Sequence, residues 1–69
     1  MNVTNADRAQ WARDALMSFM VEHGPQDEET ALGDLMCNML HLARELGLDP
    51  KVVSANALAT FEEEEAEEQ

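Results

Sequence analysis

The side chains best able to do chemistry here are one cysteine, two histidines and fifteen carboxylates. Cys37 and His41 stand four residues apart, so a helix sets them on one face, a workable spacing for a chelating pair on zinc. His23 is the other imidazole. No CxxC and no HxxxH accompanies them, so the pair reads as a packing or interface pair, and neither metal nor cofactor is expected. The carboxylates cluster in runs, Asp27-Glu28-Glu29 and Glu62-Glu63-Glu64-Glu65, with Glu67-Glu68 behind the second. General acid–base work needs carboxyls in a shielded pocket with separated pKa values. Charge runs are usually solvated. There is no Ser–His–Asp order, no Gly-rich phosphate loop and no Tyr, so the chain is read as a non-enzyme.

What must position these residues is a small helical chain. Sixty-nine residues, 45% hydrophobic and 4% aromatic, suit one globular domain whose single core is marginal. Two stops divide it, His23-Gly24-Pro25 and Leu46-Gly47-Leu48-Asp49-Pro50. Gly supplies the left-handed residue that ends a helix, and Pro fits the first turn of the next. No window alternates with period two, so strands are not expected. The predicted fold is all-α. Three helices with short connections span about 5–23, 26–46 and 50–61 of a single domain, 1–61, and an acidic tail covers 62–69. Thr4 and Asp7 have capping-box spacing at the first start, and Asp49 is a good N-cap for the third helix. Like charges at i,i+4 repel, so the last helix is expected to fray through Glu62–Glu68.

The formal net charge is −11, from 4 bases and 15 acids. Nucleic-acid affinity rests on Lys and Arg neutralising phosphates, so direct binding is disfavoured. An anionic membrane surface is disfavoured for the same reason. No apolar run approaches the roughly 18–20 residues of a bilayer span. The start, Met-Asn-Val-Thr-Asn-Ala-Asp, does not read as a signal peptide. The charge points to a basic protein surface, and the lone Cys with five Met suits a reducing cytoplasm.

In the second helix Leu32, Leu35, Met39, Leu42 and Leu46 follow an a/d heptad pattern, the seam expected to pack on the first helix. Behind or flanking it lie Gly33, Cys37, Leu40, His41 and Arg44. Gly within a helix costs about 0.8–1.0 kcal/mol against Ala, which suggests close backbone approach. A homodimer built on that reverse face is the expectation, because a small core needs help. For a partner contact, Arg8, Trp11 and Ala15 on the first helix and Asp27, Glu28 and Glu29 are the candidates. Trp and Arg dominate binding energy at interfaces, and the acids complement a basic surface. A core place for Trp11 is the competing expectation.

The segment from Asp27 to Asp49 contains Glu29-Thr30-Ala31-Leu32-Gly33-Asp34-Leu35-Met36-Cys37-Asn38-Met39-Leu40-His41-Leu42-Ala43. It resembles small early-region bacteriophage proteins of pattern E-T-x-L-x-D-L-[ML]-x-[ND]-[ML]-x-H-[LW]-A. A turn at Gly47-Leu48-Asp49 and a last helix closing near Phe61-Glu62-Glu63 complete the likeness, over about residues 26–65. In length and acidity the chain is most similar to the phage anti-quorum-sensing proteins. That resemblance implies a helical homodimer, acting in the host cytoplasm, that inhibits a host protein by binding it. The implied targets are a quorum-sensing regulator of the LuxR type, the ATPase of type IV pilus assembly, or both. The alternatives are another anti-defence inhibitor, whether anti-CRISPR or DNA mimic, and a helix-turn-helix regulator offering Lys51, Ser54 and Asn56 to base edges.

Overall fold

The computed structural model describes residues 2–68. They are all-α: α1 spans Asn5–His23, α2 Glu28–Glu45 and α3 Pro50–Glu67, with no strand among the described residues.

Local chemistry explains each boundary. Thr4 is extended (φ −101°, ψ 166°) and closes a capping box. The Asp7 amide donates to Thr4 Oγ1 at 3.1 Å, and the Thr4 amide donates to Asp7 Oδ2 at 3.0 Å. Two helix-end donors are thereby satisfied reciprocally. At the other end Gly24 takes φ +90° and its amide donates to the Met20 carbonyl at 2.9 Å. α2 starts on Asp27, whose Oδ1 accepts from the Thr30 amide at 2.8 Å and whose Oδ2 accepts from the Thr30 hydroxyl at 2.9 Å. Gly47, at φ +81°, ends it. The Leu48 amide donates to the Ala43 carbonyl at 2.9 Å and the Gly47 amide to the Arg44 carbonyl at 3.0 Å, the paired bonds of a Schellman stop. Asp49 then caps α3 by accepting from the Lys51 amide at 2.9 Å, with Pro50 opening the helix.

The third helix departs from expectation. It continues through the acidic run to Glu67 instead of fraying after Phe61. Glu is a good helix former, and each i,i+4 repulsion costs only about 0.2–0.5 kcal/mol, so backbone hydrogen bonding outweighs it.

The chain falls into two compact units, Met1–Met36 and Cys37–Gln69. In the first, α1 and the start of α2 bury Leu16 and Ala31, with Leu35, Phe19 and Met20 half-buried. In the second, Ala43 is buried, with Leu40 and Pro50 half-buried. This corrects the expected use of α2. The a/d seam is not the covered face: Leu32, Met39, Leu42 and Leu46 are exposed, and only Leu35 is partly covered. The residues that α2 buries are alanines, whose short side chains admit a close neighbour, and the apolar arc is wider than one neighbour covers.

Candidate functional site

Five of the six proposed partner-contact residues are exposed; Arg8 is the exception. At about 100° per residue, Arg8, Trp11 and Ala15 share one side of α1. Trp11 is 61% exposed, so the chain's single Trp lies outside the core of its unit. Leu16 and Met20 lie further round the helix, with Phe19 between them and Arg8, and these three line that core instead. Arg8 is half-buried, and its Nη1 donates to Asn5 Oδ1 at 2.6 Å one turn back. Its guanidinium is thus already engaged within the helix.

The acidic cluster at the start of α2 is exposed but does not join Trp11. Glu28 Oε2 lies 3.6 Å from Arg13 Nη1, and Arg13 is two residues beyond Trp11, hence about 200° around the helix. α2 approaches α1 on the arc of Leu16 and Met20, which is the side Arg13 borders. Asp27 is committed to capping. The Thr30 backbone amide, then the Thr30 hydroxyl, hold its carboxyl below the ordinary value of 3.8. Both bonds favour the charged form.

On α2, Gly33, Cys37, His41 and Arg44 are exposed and Leu40 is half-buried. Within the chain a Cβ at Gly33 would meet no atom within 4 Å, so no neighbour in the chain requires glycine there. Cys37 is a free, exposed thiol. Among the described residues no three His, Cys, Asp or Glu side chains gather where they could hold a metal ion. No helix among them is long and apolar enough to cross a membrane.

Two exposed apolar surfaces lie outside the expected contact sets. One is the a/d stripe of α2, expected to pack on α1, which with Met36 presents exposed Leu and Met side chains from Leu32 to Leu46. The heptad spacing was the available signal, but it marks a face to be covered without saying by what. The other is the solvent side of α1, where Met17 and Val21 are exposed along with Trp11. Their spacing relative to Trp11, six and ten residues, puts all three on one arc of about 120°. Comparison of the chain with protein-family profiles, with curated proteins and with solved structures gave no match.

Proposed function

We propose that this chain is a bacteriophage inhibitor that works by binding a host protein through apolar side chains set in an acidic surface. The observation that supports this is the misfit between apolar content and burial. Among the described residues only Leu16, Ala31 and Ala43 are buried, while Trp11, Met36, Met39, Leu42, Leu46, Leu58 and Phe61 are exposed. Exposed apolar groups that line up on helices mark interaction surfaces. With a net charge of −11, such surfaces select basic partners and repel nucleic acid. The resemblance to phage anti-quorum-sensing proteins suggests a LuxR-type regulator or the type IV pilus assembly ATPase as the target, met in the host cytoplasm.

In this proposal the active form is a homodimer. The exposed stripe Leu32-Met36-Met39-Leu42-Leu46 suits a second copy better than the face of Gly33, Cys37, Leu40, His41 and Arg44, because it offers five large apolar groups against one. Sedimentation at high micromolar concentration tests this. Leu42→Glu should dissociate the dimer by placing a charge in its seam, whereas Leu40→Glu should do so only if the other face is used.

The function is tested by affinity purification from a bacterial host expressing the tagged chain. The expected result is stoichiometric capture of a host protein through a basic region, weakened by salt. A mobility shift with random duplex DNA at low salt, with no captured protein, would replace the proposal by the helix-turn-helix reading.

A further inference from the structure

The solvent arc of α1 carries three large apolar side chains and no base. Going around it, one meets Met17, Gln10, Val21, Asp14, Asp7, Ser18 and Trp11, all of them exposed. Met17 is 60% and Val21 84% exposed. Single exposed apolar residues are ordinary. Three on one arc of one helix, including the chain's only Trp, form a stripe about 15 Å long at 1.5 Å rise per residue. The arc opposite, with Leu16, Phe19 and Met20, is the one that fills the unit's interior. α1 therefore has two apolar faces, and its own unit covers one.

Charge says what covers the other. Asp14 sits within the stripe, as does Asp7, one of whose oxygens accepts from the Thr4 amide, and the two arginines of α1 lie outside its arc. Asp14 accepts from Gln10 Nε2 at 2.9 Å, which fixes its carboxylate on this face. An acidic or nucleic-acid partner meets repulsion here, while a Lys or Arg gains a carboxylate partner beside an apolar seat. The rows of side chains on one helix pack into the grooves between those of another laid along it, so a partner helix can cover this face.

We infer that the Trp11–Met17–Val21 face of α1, framed by Asp7 and Asp14, docks an amphipathic helix of the target protein that carries Lys or Arg beside its apolar stripe. This rests on the proposed binding function and names the site and the partner's chemistry. Arg8 and Ala15 border the face, and the Asp27-Glu28-Glu29 cluster is not part of it.

The probe is the helical peptide LKKLLKLLKKLLKL, which lacks Trp, so Trp11 emission reports this face alone. Titration calorimetry on the same samples measures binding wherever it occurs. The expected result is saturable binding with a blue shift of Trp11 emission. Asp14→Lys should weaken it at least tenfold, and Met17→Glu with Val21→Glu should abolish the shift. Circular dichroism should show helix content unchanged in these variants. The tail variant Glu63→Lys, which makes the same change in net charge, should weaken binding less than threefold. Binding without a Trp11 shift overturns this site and leaves the inhibitor reading standing. Equal weakening by Asp14→Lys and Glu63→Lys, or equal binding of LEELLELLEELLEL, reduces the effect to net charge or greasiness and overturns the site. A blue shift on concentrating the chain alone puts a second copy on this face and overturns the partner. Absence of any binding in the calorimeter overturns the basic-partner reading together with the site.

Discussion

α1 and α3 are nearly equal in length and equally well begun, yet they are held in different ways. α1 spans 19 residues behind a capping box, and α3 spans 18 behind Asp49 and Pro50. α1 buries Leu16 and half-buries Phe19 and Met20. α3 buries no residue, and every position from Lys51 to Glu63 is exposed, Val52, Val53, Leu58 and Phe61 included. A good cap decides where a helix starts. It does not supply the tertiary packing from which most helical stability in proteins comes, and an isolated helix of this length is marginal. α3 thus has no fully buried side chain of its own, while α1 contributes Leu16 to the interior of its unit.

Leu16→Ala should cost about 2–5 kcal/mol, enough to unfold most of a small domain. Leu58→Ala, its counterpart on α3, should cost less than about 0.5 kcal/mol at low micromolar concentration, as surface changes do. Chemical denaturation followed by circular dichroism measures both. If Leu58→Ala costs as much as Leu16→Ala in dilute solution, α3 is a covered helix. If its cost grows with protein concentration, a second copy covers it.

Thr4→Ala and Asp49→Ala should each cost about 1 kcal/mol. The loss at Asp49 should appear as greater local helix loss, because α3 has no buried side chain to hold it. Amide hydrogen exchange across residues 51–60 and 8–18 reads the difference.

Truncation after Glu63 comes next. It removes the last turn of α3 and four acidic residues, Glu64, Glu65, Glu67 and Glu68. Melting temperature should move by roughly a few degrees, since about 1 kcal/mol shifts a domain this small by about 4–8 °C. A drop of about 10 °C or more would show that the run is docked.

The smallest effect is the pH dependence from Asp27. Its folded pKa lies below the ordinary 3.8, so its contribution is fully present above that value and is lost as pH falls through the folded one. Asp27→Asn should flatten that part of the acid limb and leave stability near neutrality only slightly reduced. An unchanged acid limb in the variant would detach the titration from the cap.

Most helix starts and stops were legible because their causes lie within a few residues. Thr4–Asp7, Gly24, Gly47–Leu48 and Asp49–Pro50 each satisfy their own backbone groups. The second helix starts at Glu28 rather than 26, because Asp27 stands outside it and caps it through Thr30. The end of α3 was misjudged because side-chain repulsion was weighted above the backbone hydrogen bonds it opposes. The candidate contact on α1 was half legible. Trp11 is exposed rather than in the core, Arg8 is half-buried and bonded to Asn5, and Met17 and Val21, exposed on the same arc as Trp11, lie outside the expected contact set.

Composition and order alone thus determined an acidic, three-helix chain, the register of its caps and the apolar arcs of its helices, because these rest on local sterics and on 3.6-residue periodicity. Which arc is covered was decided only by tertiary structure. α2 is apolar over more of its circumference than one neighbouring helix can hide. The residues hidden on it are Ala31 and Ala43, while Leu32, Met39, Leu42 and Leu46 of the heptad stay exposed, an outcome that periodicity alone does not fix.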